Sequence, residues 1–359
     1  MGGNTIFEVR KDDPSVTRCI EHPVSLSQGQ ALIRIHRFAV TANNVTYAMV
    51  GDRIGYWKFF PASTDGWGVV PVWGLAEVVD SRTPDVPVGE RLYGYWPMGG
   101  YLVIEPAGVG ERQLFDGAAH RAELPPTYNR YLRLLADPDY DPSLDDARMA
   151  LWPLYATSFC LHDFLSDRAW HGAEQLIVPS ASSKTAIGLA YAVKDDPAAP
   201  EIIGVTSAAN AGMVEALALY DRVISYDDIE TGLADRPSVI VDMSGNGDVL
   251  GRLHRKLGEN MRYTSNVGLT HYADNRMGAD FIRDRSEMFF APGHIQKRTK
   301  EWGPGEFERR AAEFWRNAAI RSRGWLSITR HYGPDALAQV WDAAIRGAIP
   351  PDMARVVSL

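Results

Sequence analysis

A run of small hydroxyl residues in the middle of the chain is the first candidate for chemistry. The segment Glu174–Val193 reads EQLIVPSASSKTAIGLAYAV, with a strand-like apolar stretch before the run and a helical pattern after it. Backbone N–H groups at a helix start are unpaired and carry the positive end of the dipole, so they suit a phosphate. We expect this turn to hold a dinucleotide pyrophosphate; the alternative is an ordinary strand–helix connection. The residues assigned to the role are Ser180, Ser182, Ser183, Lys184 and Thr185.

Two further polar segments follow strand-like stretches downstream. From Glu174 onward, short apolar stretches alternate with helical ones, which predicts a parallel, doubly wound sheet of the Rossmann kind. The carboxyl ends of such strands form a ligand crevice. Ser244 and Gly245 follow one predicted strand, and Asn266 and Gly268 lie at the end of another. This recurrence of polar residues at strand ends supports a nucleotide site.

The composition bounds the class of protein. The 359 residues are 45% hydrophobic and 23% charged, with a net charge of −8. These values favour a soluble globular protein of about two domains. Because the sequence has no stripe of Lys and Arg residues, we do not expect a nucleic-acid or membrane partner. The N-terminal segment lacks an apolar signal-peptide core, and two cysteines, Cys19 and Cys160, give no disulfide framework. We therefore expect a cytoplasmic protein with a small-molecule substrate.

The regions on either side of the predicted sheet have a different pattern. Roughly the first 105 residues alternate with the two-residue period of β-strands, which predicts an all-β module. Residues 106–150 are richer in Pro, Asp and Tyr, and we interpret them as a connection with short helices. The chain ends in a predicted strand–helix–strand, whose strands complete the β-rich module.

Four segments resemble the medium-chain dehydrogenase/reductase superfamily, most closely its zinc-free quinone-oxidoreductase branch. They are ALIRIHRFAVTANNVTYAMVGD, PVGERLYGY, EQLIVPSASSKTAIGLA and the closing GWLSITRHYGPDALAQVWDAAIRGAIPPDMARVVSL. The resemblance implies an α/β fold, with a GroES-like β-rich catalytic domain at 1–125 and 300–359 and a Rossmann dinucleotide-binding domain at 126–299. It also implies an active site in the cleft between them, and a homodimer formed through the strand predicted at Glu287–Pro292.

The sequence departs from the family at its phosphate turn and at its zinc positions. The usual turn is Gly-rich, whereas this chain has Ser180–Ala186, whose hydroxyls and lysine offer phosphate bonds in place of close backbone approach. Where zinc members carry Cys, His and Glu ligands, this chain has Thr41 and Ala42, then Pro71–Trp73. The comparison therefore predicts no metal.

The choice of nucleotide depends on the end of the second strand. An NAD site usually has an acidic residue there, bonded to the ribose 2′-OH, but this strand ends in Thr206 and Ser207. A 2′-phosphate would meet hydroxyl donors without like-charge repulsion. Tyr226 follows the third strand, where the resembled branch has a phosphate-contacting tyrosine. We therefore predict NADPH (NADP+) rather than NADH.

The remaining site residues come from the resemblance. Asn44, Tyr47, Thr157, Asn266 and Gly268 are expected near the nicotinamide. Tyr47 and Tyr56 are candidate proton donors, and Asn44 is a candidate partner for the substrate oxygen. His271 follows the strand that faces the nicotinamide and is a further catalytic candidate, or it bonds a loop carbonyl. Aromatic residues are expected to line an apolar slot or to form core, namely Tyr56, Trp57, Phe59, Phe60, Trp67 and Trp96.

These features predict an NADPH-dependent, zinc-free oxidoreductase that reduces a small apolar enone, quinone or carbonyl compound. Two alternatives remain open. The first is a non-catalytic relative that binds or senses NADP(H). The second is a non-redox carbonyl enzyme, of the lyase or hydrolase type, that uses the same cleft.

Overall fold

A computed structural model describes residues 3–267 and 280–359, with the backbone alone for residues 53 and 54. The chain divides into two compact units. Unit 1 comprises residues 1–150 and 326–359, and unit 2 comprises residues 151–325. Within the described ranges, no helix is long and apolar enough to span a membrane.

The N-terminal part of unit 1 is mostly strand. Its strands are β1 (Asn4–Arg10), β2 (Thr17–His22), β3 (Ala31–Val40), β4 (Trp67–Gly68), β5 (Pro71–Ser81), β6 (Arg91–Pro97), β7 (Tyr101–Ile104), β8 (Pro106–Ala107), β9 (Gln113–Asp116) and β10 (Arg130–Arg133). Its helices are α1 (Ala42–Met49), α2 (Gly51–Ile54) and α3 (Pro126–Asn129). Helix α4 (Asp145–Ser166) then leads into unit 2.

The elements of unit 2 alternate along the chain. Its strands are β11 (Gln175–Pro179), β12 (Glu201–Thr206), β13 (Arg222–Ser225), β14 (Ser238–Asp242), β15 (Met261–Asn266) and β16 (Ser286–Met288). Its helices are α5 (Lys184–Lys194), α6 (Ala208–Ala216), α7 (Ile229–Gly232), α8 (Gly247–Leu257), α9 (Ala291–Trp302) and α10 (Glu306–Ser322). The C-terminal part of unit 1 follows as β17 (Ser327–Tyr332), α11 (Pro334–Ile345) and β18 (Met353–Ser358).

Unit 1 is built on two sheets, one of three strands in the order β2-β1-β4 and one of nine strands. The larger sheet has the order β17-β18-β3-β5-β6-β10-β9-β8, and β7 also pairs with β3. Strand β18 is antiparallel to β3, with Val356 opposite Ala39. The two ends of the chain therefore share one sheet, which is the completion predicted for the closing strands.

The described residues of unit 2 form a six-stranded sheet in the order β13-β12-β11-β14-β15-β16. Every neighbouring pair in it is parallel. Strands β11 and β14 are buried along their whole length, as expected when helices cover both faces of a parallel sheet. This is the doubly wound arrangement predicted from the alternating pattern.

The segment 106–150 differs most from its prediction. It contributes three strands to the large sheet, since β10 pairs with both β6 and β9, and β8 pairs with β9. Gly94 makes this possible, because a Cβ at that position would collide with the Tyr131 ring. These pairings keep the segment in unit 1, whose first part ends at residue 150.

Helix α4 continues through Pro153. Helix α1 is capped by Thr41, whose N–H donates to Asn44 Oδ1 at 2.7 Å, so Asn44 lies inside the helix. The strand expected at Glu287–Pro292 is shorter, because Pro292 lies at the start of helix α9, where a missing N–H costs nothing.

A buried ion pair fixes the segment between β9 and β10. Arg121 is 1% exposed and contacts Asp116 Oδ2 at 2.9 Å. Its other N–H groups donate to Asn129 Oδ1, the Tyr131 hydroxyl and the Tyr128 carbonyl, at 2.8–2.9 Å. Asp116 Oδ1 in turn accepts from two backbone N–H groups. Each charge is therefore compensated, which a buried ion pair requires.

A buried histidine in unit 2 makes acid stability predictable. His254 Nδ1 accepts from Ile282 N–H at 2.9 Å, and its Nε2 lies 3.0 Å from Thr264 Oγ1. Burial, and to a lesser extent Arg285, lowers the pKa of His254 to about 4. Because the unfolded chain titrates near its ordinary value of about 6.5, it binds more protons than the folded chain between the two pKa values.

The free energy of unfolding should therefore fall as pH drops from about 6.5 to about 4, with His254 contributing about 2–3 kcal/mol. Denaturant titrations at pH 7 and pH 4.5 measure the loss. His254→Gln keeps an acceptor and a donor but cannot titrate, so it should lose less stability than the wild type over this interval. An identical acid loss in both proteins would contradict the assignment.

Candidate functional site

The carboxyl edge of the six-stranded sheet gathers most of the predicted polar residues. Strand order reverses between β11 and β14, since β12 lies on one side of β11 and β15 lies on the far side of β14. At such a switch point the connections leave in opposite directions and open a crevice. The turns after β11 and β14, at Ser180–Ser183 and Met243–Asn246, flank this point.

The turn after β11 is built for a tight helix start. Ser180 has a φ of 60°, a left-handed conformation that few residues other than glycine adopt. Ser183 N–H donates to the Ser180 carbonyl at 2.8 Å, and Ser183 Oγ caps α5 by accepting from Ala186 N–H at 3.3 Å. Lys184 and Thr185 are the first two residues of α5, and both are half-buried. The positive end of this helix therefore opens at the switch point.

Predicted residues from two neighbouring strands meet beside this turn. Ser182 is 7% exposed, and its Oγ accepts from Asn210 Nδ2 at 3.2 Å and lies 3.5 Å from Thr206 Oγ1. Ser207 caps the next helix, α6, and is half-buried. The end of β12 thus presents hydroxyl groups and no carboxylate.

Tyr226 touches the turn directly. Its hydroxyl accepts from Ser180 N–H at 3.1 Å, so the ring spans from the end of β13 to the end of β11. Burial raises the pKa of Tyr226, and nearby Asp242 adds to the increase. The tyrosine is therefore protonated at neutral pH and can donate its O–H to an anion while accepting from Ser180.

The turn after β14 is organised by a carboxylate that sequence reasoning missed. Asp242 is 1% exposed, and its Oδ1 accepts from Ser244 N–H at 2.9 Å and from Ser244 Oγ at 2.6 Å. Gly245 has a φ of 61°, which favours glycine. Asn246 then caps α8. The sequence could have indicated this role of Asp242, because an acidic residue at the end of an apolar strand needs local hydrogen bonds if it is buried.

Asn266 holds a buried acceptor without a partner. The side chain is 2% exposed, and its Nδ2 donates to the Glu287 carbonyl at 3.2 Å. Its Oδ1 makes no hydrogen bond within the described residues, and the same holds for Ser265 Oγ beside it. A buried polar atom left unsatisfied costs about 1–3 kcal/mol unless a ligand or water pairs with it. Asn266 Oδ1 is thus suited to accept an N–H from a ligand.

The other predicted residues of unit 2 have separate positions. Thr157 lies on α4, where its Oγ1 donates to the Pro153 carbonyl at 3.0 Å. Gly268 and His271 lie outside the described residues.

In unit 1, the predicted proton donors belong to a cluster of aromatic rings. Tyr47 stacks on Tyr56 with ring centroids 4.2 Å apart, and the Tyr56 hydroxyl lies 3.1 Å from the Tyr128 hydroxyl. Tyr95 packs against Tyr128 at 4.9 Å and against Trp73 at 5.0 Å. We refer to Tyr47, Tyr56, Trp73, Tyr95 and Tyr128 as the tyrosine cluster.

The tyrosine cluster is rich in hydrogen-bond donors. The Tyr95 hydroxyl and the Trp73 indole N–H are buried and have no hydrogen-bond partner in the described part of the chain. Burial raises the pKa values of Tyr47 and Tyr56 far above their usual range, so both are protonated at neutral pH. The cluster can therefore donate hydrogen bonds to an oxygen atom of a bound molecule.

Other predicted site residues of unit 1 make hydrogen bonds or packing contacts within the fold. Asn44 is 2% exposed, and besides accepting from Thr41 its Nδ2 donates to the Pro71 carbonyl at 2.9 Å. Trp96, expected to line a slot, is fully buried and stacks on Tyr131 at 4.3 Å. Trp57 is also part of the core.

The chain belongs to the family described as "Protein of unknown function (DUF2855)", whose profile matches residues 38–350. No curated protein matches the chain. Among solved structures, CurA in complex with NADPH from Vibrio vulnificus is 12% identical, with a TM-score of 0.62, covering 95% of this chain and 94% of that one. A quinone oxidoreductase from Coxiella burnetii is 12% identical, with a TM-score of 0.62 and 99% coverage of both chains.

A third similar structure is a mutant form of enoyl thioester reductase from Candida tropicalis, 12% identical, with a TM-score of 0.59 and full coverage of both chains. At these identities the likeness establishes the fold. The predicted fold class, α/β with a GroES-like β-rich domain and a Rossmann domain, is confirmed by these neighbours and by the parallel sheet of unit 2.

Proposed function

We propose that this protein is an NADPH-dependent, zinc-free oxidoreductase that reduces a small apolar enone, quinone or carbonyl compound. The fold is shared with CurA, solved with NADPH, and with proteins named as quinone and enoyl thioester reductases. The observation that carries the proposal is the buried Oδ1 of Asn266 at the carboxyl edge of the parallel sheet, which has no hydrogen-bond partner among residues 3–267 and 280–359. An amide N–H, such as that of a nicotinamide carboxamide, would satisfy it.

The residues at the switch point fit a dinucleotide. The α5 N-terminus, with Lys184 and Thr185 in its first turn, suits the pyrophosphate, and Tyr226 can donate its O–H to the same group. Ser244 and Gly245, in the turn after β14, would lie on the other side of the switch point. Because Thr206 and Ser207 end β12 without a carboxylate, a 2′-phosphate is tolerated there, which favours NADPH over NADH.

The tyrosine cluster would contact the substrate and donate hydrogen bonds to it. NADPH, when bound, supplies a hydride to the electrophilic carbon. Charge then develops on the substrate oxygen, which O–H and N–H donors placed in an apolar surrounding stabilise. Among the donors, we assign Tyr47 as the proton donor, because its ring stacks on Tyr56 and packs against Tyr95 in this donor-rich cluster. Rings of the same cluster would contact a flat substrate.

Measurements of cofactor binding test the role of Asn266, on which the proposal depends. We expect a fluorescence or calorimetric titration to give NADPH at least about tenfold higher affinity than NADH. Asn266→Leu should weaken NADPH binding about tenfold, since one buried hydrogen bond is lost. Asn260→Ala, at the amino end of the same strand, is the matched control and should keep wild-type affinity. Equal or tighter NADH binding, or unchanged affinity in Asn266→Leu, would contradict the proposal.

Turnover distinguishes the enzyme from its alternatives. Oxidation of NADPH is followed by absorbance with a panel of enones, quinones and aldehydes. Binding without oxidation of NADPH across the panel would favour a non-catalytic sensor. Conversion of a carbonyl compound without oxidation of NADPH would favour the lyase or hydrolase type.

We also infer a homodimer that pairs through the sheet edge of unit 2. Strand β16 ends the six-stranded sheet, and Met288 and Phe290 are 46% and 59% exposed at this edge. Exposed edges with large apolar side chains commonly pair with another chain. Light scattering of the purified protein measures the molar mass, and a monomer would contradict this inference.

A further inference from the structure

A pocket lined by basic side chains lies on the nine-stranded sheet of unit 1, among residues that the proposed function does not use. Its cavity of about 350 Å³ is lined by His36, Arg37, Leu75 and Arg91, from three adjacent strands. Three of these four side chains are basic. We refer to these four residues as the arginine pocket.

A β-bulge brings the basic residues of β3 together. In the pairing of β3 with β5, Ile35 lies opposite Ala76 and Arg37 lies opposite Leu75, so His36 has no partner residue. An extra residue of this kind breaks the strict alternation of faces and redirects the neighbouring side chains. His36 and Arg37 can therefore line the same cavity although they are adjacent in the sequence.

A buried carboxylate holds the two arginines in place. Asp145 Oδ2 lies 3.2 Å from Arg37 and 3.0 Å from Arg91, and its side chain is 4% exposed. The hydroxyl of Tyr140 donates to Asp145 Oδ1 at 2.9 Å. Both guanidinium groups are thus fixed on one anchor, and the five N–H groups of each exceed what these contacts use.

The surroundings of the pocket carry more positive than negative charge. Asp146 contacts Arg37 at 3.1 Å and Arg330 at 2.7 Å. Asp145 and Asp146 therefore contact three guanidinium groups, those of Arg37, Arg91 and Arg330. On the other side, Glu77 contacts both His36 and Arg34, so it does not reverse the balance. An excess of positive charge persists in a chain whose net charge is −8.

We propose that the arginine pocket binds a phosphate group, either as inorganic phosphate or on a small phosphorylated metabolite. The side chains of Arg37, Arg91 and His36 are 25–35% exposed, so a solute can reach them, while Asp145, the shared partner of the two arginines, stays buried. Planar guanidinium groups bind phosphate oxygens through paired N–H donors. The volume, about 350 Å³, lies in the range of small-ligand sites. The proposal is independent of the cofactor and substrate assignments.

The test uses inorganic phosphate as the probe on the full-length protein. Calorimetry and thermal unfolding, both at constant ionic strength set with NaCl, should show saturable binding and a rise in Tm. Arg91→Gln, which leaves Arg37 to hold Asp145, should weaken binding about tenfold. Arg346→Gln is the matched control, since Arg346 pairs with Asp342 on the exposed end of α11; it should bind as the wild type does.

A second variant keeps the test independent of folding. Arg91→Lys retains the charge but not the paired donors, so it should fold normally and bind phosphate several-fold less tightly. Each variant's Tm without phosphate is measured first, and only variants within a few degrees of the wild type are compared. Absence of saturable binding, or the same affinity in Arg91→Gln as in Arg346→Gln, would overturn the proposal. A phosphorylated metabolite that displaces phosphate at lower concentration would identify the bound group as part of a larger ligand.

Discussion

Tyr47→Phe is expected to lower kcat for an enone by about 10²–10⁴-fold while NADPH affinity stays unchanged. The phenyl ring keeps the stacking on Tyr56 at 4.2 Å, so the change removes the hydroxyl and little else. Without that donor, the charge that develops on the substrate oxygen loses both a hydrogen bond and a proton source. Steady-state kinetics and an NADPH titration on the same preparation separate the two effects.

The neighbouring tyrosines provide the controls for this experiment. Tyr128→Phe removes the hydroxyl that lies 3.1 Å from Tyr56 and should cost less, because Tyr128 acts only through its neighbour. Tyr332→Phe alters an exposed residue of unit 1 and should be silent. If Tyr47→Phe retains turnover and Tyr56→Phe loses it, the proton donor is Tyr56. Retention of turnover in both would refute the role of the tyrosine cluster.

Arg121→Met should destabilise the protein by about 3–5 kcal/mol. The substitution preserves much of the side-chain volume but leaves the Asp116 carboxylate, 5% exposed, without its counter-ion. It also leaves the buried Asn129 amide oxygen without its donor. The measurement is the free energy of unfolding from a denaturant titration at pH 7.

A double variant isolates the cause of this loss. Asp116→Asn keeps an oxygen for the N–H groups of Glu105 and Ala118 but carries no charge. The pair Arg121→Met with Asp116→Asn should therefore recover a large part of the stability lost in Arg121→Met alone. If the single variant costs less than about 1 kcal/mol, water reaches the pair and the site is not as closed as described.

The sheet of unit 2 was predictable because the pattern within each segment agrees with the alternation of strands and helices along the chain. Apolar stretches that alternate with helical ones identified every strand from β11 to β15, and polar residues at their ends marked the crevice. Ser180 and Tyr226 lie close together because β13 and β11 both neighbour β12 in the sheet. Their proximity follows from the order of the strands in the sheet, which the sequence does not show directly. That Asn266 Oδ1 lacks a partner in the described part of the chain depends on its neighbours in space, which the sequence does not reveal.

The structure of unit 1 was harder to predict, because it also depends on contacts between residues that are far apart in the sequence. Strand β2 has a short, mostly polar sequence at the edge of a small sheet, so its pattern resembles a loop. Tyr95 and Tyr128 come from β6 and from the short helix α3, whose proximity depends on strands in a segment that reads as a connection. The bulge at His36 changes which faces its neighbours occupy, and strict alternation cannot reveal that.

The pairing of β3 with β18 sets the order in which the chain can mature in the cell. Ala39 emerges early from the ribosome, but its partner Val356 is made about 300 residues later, after the whole of unit 2. Unit 2 is continuous and can form its sheet while synthesis proceeds. The nine-stranded sheet of unit 1 must wait with the last residues of β3 unpaired by β18, and long-range closure of this kind is slow. Nascent chains of this protein therefore expose that strand edge until synthesis is nearly complete.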